Sequence, residues 1–247
     1  MASISETSHA KNVTNLESLI TSITAFGTSY NPSKDSIKLP ALQTLLTNSN
    51  NSLITVNTAQ SSYSIAVDAR EVAFEPLGKL ITRVNSALKA SDSTVQIDES
   101  AQTIIRKLRG KRASAKLTDE EKQALEAEGK AANQISVSQM GYDTRLDNFD
   151  KLISLLSTVP QYNPNEEDLK IDALKALYTD LKTKNTDVVT AYIQLDNARN
   201  SRNVVLYKPL TGLVDLASDS KTYIKSVFGS TSPQYKQVTK LTFVSRS

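Results

Sequence analysis

Cysteine is absent from the 247-residue chain, and histidine occurs once, at His9. The lack of cysteine excludes disulfides, thiolate metal sites and cysteine nucleophiles. A zinc site would have to rely on carboxylates and water, and a serine nucleophile would find only His9, in a segment expected to fray, as its histidine base. Glycine-rich phosphate loops and the Gly-x-Ser-x-Gly motif are missing too. We predict no catalytic, cofactor-binding or metal site, and an enzyme is the least expected class.

Glycine and proline are scarce, with seven residues of each, and tryptophan is missing. Sandwiches and barrels need turn residues at intervals of about 8–12 positions, so these folds are disfavoured. Only five residues are phenylalanine. The core must therefore be built from leucine, isoleucine, valine and alanine, with tyrosine at its margins.

Long apolar runs are also missing. No stretch approaches the roughly 18 residues that a membrane helix needs. The amino terminus shows no basic region followed by an apolar one, as a secretory signal would. We therefore expect a cytoplasmic protein with no membrane span. The formal net charge of +3 is too small to imply a nucleic-acid partner by itself.

The sequence does contain an internal repeat. Tyr30-Asn31-Pro32 recurs as Tyr162-Asn163-Pro164, 132 residues later, and the segment 15–21 recurs at 148–154 with a spacing of 133. A shared pattern of this length indicates a tandem duplication. We predict two helical repeat units, at 1–110 and 136–247, joined by a charged linker with a short helix at 111–135.

Each predicted unit begins with a short helix, over 12–25 and 143–158, and continues after the Tyr-Asn-Pro turn with a long one. Along the long helix, two rows of residues recur every seven positions. In the second unit they are Leu174, Leu181, Val188, Leu195, Arg202 and Leu177, Lys184, Ala191, Ala198, Val205. The matching first-unit rows are Leu42, Ser49, Val56, Tyr63, Arg70 and Leu45, Ser52, Ala59, Ala66, Ala73.

A seven-residue period favours left-handed packing of helices at shallow angles, as in a coiled coil. Helices of about 35–40 residues would give an all-α, elongated helical bundle. Ala191 and Ala198 would let a partner helix approach closely. Asn165 is expected to cap the second long helix, and the acids at 166–168 would lie near its positive end.

Proline interrupts both long helices, at Pro76-Leu77 and at Pro209-Leu210. Either the proline opens a third helix or it kinks a continuous one. The hairpin is favoured because a third helix folding back would bury an apolar stripe. The stripe comprises Leu77, Leu80, Ile81, Val84 and Leu88 in the first unit and Leu210, Leu213, Val214 and Ile224 in the second, where Gly229 is the expected C-cap.

Both units are expected to close with an extended tail, over 100–108 and 232–244. The second tail alternates near its end and is interpreted as a short strand. The segments around Ser3-Ile4-Ser5 and Ser136-Val137-Ser138 are its candidate partners.

One basic cluster stands out near the end of the first unit. It comprises Arg106, Lys107, Arg109, Lys111, Arg112 and Lys116. Such a cluster is able to contact phosphate, acidic lipid or an acidic protein surface. The alternative interpretation is a solvated linker whose charge is offset by the acidic run at 119–128. No aromatic residue interleaves with the cations, which weakens single-strand binding by stacking.

Arg70 and Arg202 occupy equivalent core-type positions. A buried arginine is costly unless it is paired. The favoured interpretation is structural, with the stem along the helix surface or the head on a carboxylate such as Asp68, Glu71 or Glu75. The alternative is an anion site or an ion pair that fixes helix register.

Several segments of the second unit resemble a known family. They are Ile135–Met140, Asn148–Ile153, Tyr162–Glu166 and Ser232–Val238. They look like an uncharacterised family of helical proteins common in Bacteroidota. The resemblance covers the second unit well and the first loosely, and it implies a helical architecture with no activity or site to transfer.

The expected function is that of a non-enzymatic structural, scaffolding or protein-interaction protein. Its partner would be another protein or a second copy of the chain, met through the helical faces. One alternative is binding of nucleic acid or an anionic surface through the basic cluster. A second alternative is a helical pore-forming or membrane-remodelling protein, which would need a concealed apolar hairpin that the sequence does not show.

Overall fold

The structure is a computed structural model that describes residues 4–111 and 140–245, with 118, 120, 123, 124 and 127 between them. Side chains are described from His9 onward. The helices are α1 (Ile4–Phe26), α2 (Leu39–Phe74), α3 (Leu77–Lys89), α4 (Val95–Leu108), α5 (Tyr142–Ser157), α6 (Ile171–Tyr207), α7 (Leu213–Phe228) and α8 (Pro233–Thr239). The described residues contain no strand, so the predicted all-α class is confirmed.

The two Tyr-Asn-Pro turns are built alike. Each is followed by a short 3₁₀ helix, Asp35–Ile37 or Glu167–Leu169, and then by a long helix. The Tyr30 hydroxyl donates to the carbonyl of Ile37 at 2.8 Å, and the Tyr162 hydroxyl donates to that of Leu169 at 2.9 Å. These matching turns agree with the predicted repeat. The duplication itself stays a prediction.

The long helices have the predicted length, with 36 residues in α2 and 37 in α6. All five residues of the first α6 row, from Leu174 to Arg202, are buried. In α2 the amino-terminal part of the row is buried and the rest is half-buried. Asn165 does not cap α6, because Lys170 is extended and separates the 3₁₀ helix from α6. The acids at 166–168 therefore precede the helix instead of forming its first turn.

The first compact unit comprises Met1–Ser64 and Thr190–Ser247. Its core joins α1 to α7, with α8 alongside. The fully buried side chains come from both ends of the chain: Leu16, Leu19, Ile23 and Leu42, together with Leu206, Leu213, Ala217, Ile224 and Val238. Their burial against one another removes apolar surface from water and stabilises the unit.

The second compact unit comprises Ile65–Val189. Its core joins α3 and α4 to α5. The main buried side chains are Phe74, Leu77, Ile81, Val84, Leu88, Ala101, Ile105 and Leu108, together with Phe149, Leu152, Leu156 and Leu174. Each compact unit thus combines parts of both predicted repeat units, 1–110 and 136–247. Most of the predicted linker at 111–135 lies outside the described residues.

The proline interruptions differ. At the first, only Glu75 and Pro76 leave the helix, and Pro76 keeps a helical backbone at φ −70° and ψ −19°. At the second, the interruption runs from Lys208 to Gly212, with Leu210 in the left-handed region at φ 67°. Leu77 is buried as predicted, but Leu210 is 76% exposed, so its place in the predicted stripe is wrong. Gly229 is the C-cap of α7, as predicted.

Three further expectations are wrong. The predicted tail at 100–108 is part of α4, because Ile97, Ala101, Ile105 and Leu108 recur at helical spacing. The predicted extended tail at 232–244 contains α8 (Pro233–Thr239), and its described end is not a strand. One of its candidate partners, at 136–138, lies outside the described residues. Ile4 and Ser5 are helical, so they form no strand with the second tail. Instead the Asn12 side chain bonds both backbone groups of Val244, donating to its carbonyl at 2.9 Å and accepting from its amide at 3.0 Å.

Candidate functional site

The basic cluster lies at the carboxyl end of α4. The described members are Arg106, Lys107, Arg109 and Lys111. The other two, Arg112 and Lys116, lie outside the described residues. Cations at this end of a helix complement its negative dipole, which is the ordinary structural role for such residues.

A recess of about 270 Å³ forms at this helix end. Its lining residues are Gln102, Thr103, Ile105, Arg106, Arg109 and Lys111. Among the described residues no carboxylate lines it, and one Arg109 nitrogen already donates to the Thr82 hydroxyl at 2.7 Å. The remaining donors are able to form charge-assisted hydrogen bonds to a small anion. Three of the six predicted anion contacts therefore meet in one place, and Lys107 is not among them.

Arg70 contacts an aromatic ring and a side-chain amide. Among the described residues, no carboxylate pairs with it directly. Its guanidinium carbon is 3.9 Å from the centre of the Tyr142 ring, and its Nη1 donates to the Asn185 side chain at 3.0 Å. Asn185 in turn donates to Asp143 at 2.7 Å. The expected pairing with Asp68, Glu71 or Glu75 is wrong, because the amide of Asn185 links the guanidinium to a carboxylate on α5.

A second arginine completes this cluster. Arg145 donates to the Phe74 carbonyl at 3.1 Å, and its guanidinium carbon is 5.0 Å from the Phe74 ring centre. Phe74 meets Tyr142 edge to face at 4.9 Å. Burial lowers the pKa of the Arg145 guanidinium below its ordinary value. The Nε atoms of Arg70 and Arg145 are buried and have no hydrogen-bond partner in the part of the chain that the structure describes.

The sequence analysis did not identify Tyr142 and Arg145. The repeat could have pointed to them, because it aligns them with His9 and Asn12 near the start of the first helix. Tyr142 lies 133 residues after His9, and Arg145 lies 133 residues after Asn12. His9 is itself buried and not frayed, and its ring packs 5.5 Å from that of Tyr207, with Nδ1 2.6 Å from the hydroxyl. The two contacts are alike. His9 near the start of α1 contacts Tyr207 at the end of α6, and Tyr142 at the start of α5 contacts Phe74 at the end of α2.

Arg202 is buried, with Nε and Nη2 donating to the side chain of its neighbour Asn203 at 3.3 and 3.1 Å. This contact agrees with the structural interpretation. Pro76 and Pro209 lie at helix ends, where their missing N–H groups cost little. The structural role predicted for Arg70, Arg202, Pro76 and Pro209 stays a prediction.

Two kinds of feature are absent from the described residues. No group of three or more His, Asp or Glu side chains is placed to hold a metal ion. Nor does any described helix combine the length and apolar character needed to cross a membrane.

Comparison of the chain with protein-family models, with curated proteins and with solved structures found no match. The resemblance to a Bacteroidota family therefore stays a prediction.

Proposed function

We propose that the protein is a non-enzymatic structural or protein-interaction protein that binds a partner protein, or a second copy of itself, through exposed side chains of its long helices. One observation carries this proposal. In the first compact unit Ile54, Tyr192, Ile193 and Val204 are each more than half exposed. Aromatic and aliphatic side chains of this kind are enriched in the cores of protein interfaces.

Next to these exposed side chains, α2 and α6 share a small buried cluster. There the buried cluster comprises only Val56, Leu195 and Ala198, with Ala59 and Tyr63 packed against it. Tyr192 meets Tyr63 at 6.0 Å between ring centres. Apolar side chains next to a thin core offer a partner helix both packing area and a rigid aromatic anchor.

The test compares the wild-type chain with the double substitution Tyr192→Ser, Ile193→Ser and with Gln194→Ser, an exposed neighbour on the same helix. Light scattering after gel filtration measures self-association, and an affinity column measures capture of other proteins. We expect wild type and Gln194→Ser either to self-associate or to capture the same partner protein. The double substitution should lose that interaction. A strict monomer at high concentration, with the same captured proteins for all three, would count against the proposal.

A second candidate function is favoured by the recess at the end of α4, where Arg106, Arg109 and Lys111 converge. We propose it as binding of nucleic acid or an anionic surface. Replacing these three residues by glutamine should weaken retention on nucleic acid and flatten its dependence on salt, with the slope falling by about 0.9 for each phosphate that is no longer neutralised. The control replaces the exposed Lys175, Lys236 and Lys240 and removes the same charge. Equal retention by both triple variants would end this idea.

A further inference from the structure

The first Tyr-Asn-Pro turn is covered by a tyrosine of α7. Tyr223 meets Tyr30 edge to face, with ring centres 5.2 Å apart and an interplanar angle of 89°. The backbone amide of Asn31 donates to the Tyr223 hydroxyl at 3.2 Å. One turn of helix earlier, Asp219 pairs with Lys34 at 2.5 Å.

The second turn is covered by α3 in place of α7. The buried residues Leu77, Ile81, Val84 and Leu88 correspond to Leu213, Ala217, Ser220 and Ile224, each 136 positions later. The same offset matches Arg83 to Asp219 and Ala87 to Tyr223. Arg83 forms a bidentate pair with Asp168 of the second turn, which supports the correspondence.

At the second turn alanine therefore stands where the first turn has a phenol ring. A cleft of about 590 Å³ opens there. Its lining includes Ser86 and Ala87 of α3, Ser91 just after that helix, and Asn163, Pro164 and Leu169 of the turn. The Asn163 amide, which corresponds to the one that binds the Tyr223 hydroxyl, donates to the Gln161 carbonyl at 3.0 Å. The volume is in the range of small-molecule sites, about 300–1,000 Å³.

We infer that this cleft binds a phenol ring. The ring would lie over Ala87, Pro164 and Leu169. Its hydroxyl oxygen would accept a hydrogen bond from the Asn163 amide in place of the Gln161 carbonyl, as the Tyr223 hydroxyl accepts one from Asn31. The first turn supplies the template for the hydroxyl contact. The phenol comes either from a free small molecule or from a tyrosine side chain of a peptide. The inference is independent of the helical surface proposed above.

The experiment is titration of the ¹⁵N-labelled full chain with p-cresol, with N-acetyl-tyrosinamide and with N-acetyl-phenylalaninamide, followed by amide chemical shifts. We expect shifts at Asn163 and at Ala87, with a Kd on the order of 1 mM for the phenols. The phenylalanine compound, which lacks the hydroxyl, should bind several-fold more weakly. Tighter binding of the tyrosine amide than of p-cresol would identify a peptide as the source, and the reverse order a small molecule.

The decisive variant is Ala87→Tyr, which places in the cleft the side chain that the first turn already uses. It should weaken phenol binding at least tenfold, whereas Ala176→Tyr, at an exposed position of α6, should bind like wild type. Ala87→Leu serves as a smaller block if circular dichroism shows that the tyrosine variant is unfolded. The inference would be overturned if a folded Ala87→Tyr or Ala87→Leu variant bound the phenols as tightly as wild type. It would also be overturned if the wild-type amides of Asn163 and Ala87 showed no shifts at phenol concentrations up to 10-fold above the expected Kd.

Discussion

Tyr162 connects packing to titration at the scale of a single residue. Its ring is buried, and its hydroxyl donates to the Leu169 carbonyl. Burial, and then the nearby carboxylates Glu166 and Asp168, raise the pKa of Tyr162 to about 12. A tyrosine in the unfolded chain titrates near pH 10. The folded state therefore loses stability as the pH rises from about 10 through 12.

Substitution of Tyr162 by phenylalanine tests this contribution. At pH 8 the variant should be less stable by about 1 kcal/mol, because the Leu169 carbonyl loses a buried hydrogen bond. The deficit should shrink as the pH rises above 10, since the variant has no hydroxyl to ionise at this site. Urea unfolding from pH 8 to 11.5 measures the difference, with the exposed Tyr192→Phe as control. A deficit that stays constant with pH would contradict the assignment.

In the turn before α7, two substitutions should change stability in opposite directions: glycine should be favoured at Leu210, and any Cβ should be unfavourable at Gly212. Leu210 has a left-handed backbone and an exposed side chain, so Leu210→Gly should raise the free energy of unfolding by about 0.5–1 kcal/mol. A Cβ at Gly212 would lie 2.7 Å from the Lys208 nitrogen and 2.8 Å from its carbonyl oxygen. Gly212→Ala should therefore cost about 1–3 kcal/mol. Urea denaturation of both variants checks the pair, and changes of equal sign would contradict this account.

Single residues were harder to predict than the segments that contain them. The apolar pattern correctly placed Leu77 and Leu174 in cores, because it reports which face of a helix is buried. The same pattern wrongly included Leu210, since it carries no information about where a helix stops after proline. His9 is buried and Arg145 half-buried by contacts with Tyr207 and Phe74, which lie far away in sequence.

At the scale of elements, periodicity predicted the long helices and their lengths, because a helix of 36 residues gives the seven-residue pattern many turns in which to show itself. Short elements were less predictable. The segment that forms α4 was predicted as an extended tail, and the end of the tail at 232–244 was predicted as a short strand. That segment is held by α1, with Asn15 donating to the Thr242 carbonyl at 2.6 Å, and local sequence does not encode such a contact.

Two ion pairs of opposite polarity attach the turns to the helices that cover them. In one unit the turn supplies Lys34 and the helix Asp219, and in the other the turn supplies Asp168 and the helix Arg83. Lys34→Glu should lower the free energy of unfolding by about 0.2–1 kcal/mol, because it places two acids together. Adding Asp219→Lys should restore the loss. A double-mutant cycle in urea at low salt measures the coupling, and failure of the second substitution to recover stability would contradict it.

For the whole molecule, the compact units differ from the predicted repeat units. The first core joins Leu16 and Leu19 to Leu213 and Ile224, and the second joins Leu77 and Ile105 to residues of α5. A repeat shows which segments are alike. It does not show whether a segment packs within its own copy or on the other, since both choices bury the same kinds of side chain. The ion pairs favour the observed choice. Pairing within a copy would bring Glu166, which corresponds to Lys34, to Asp219, and would bring Ser36, which corresponds to Asp168, to Arg83.

The central claim is that each core needs both halves of the chain, and two fragments test it most directly. Residues 1–110 and 136–247 are produced separately, then mixed, and examined by circular dichroism, gel filtration with light scattering, and urea unfolding. We predict that neither fragment alone unfolds cooperatively, and that the mixture forms a 1:1 complex with a cooperative transition. Two fragments that each fold as stable monomers and do not associate on mixing would contradict the claim.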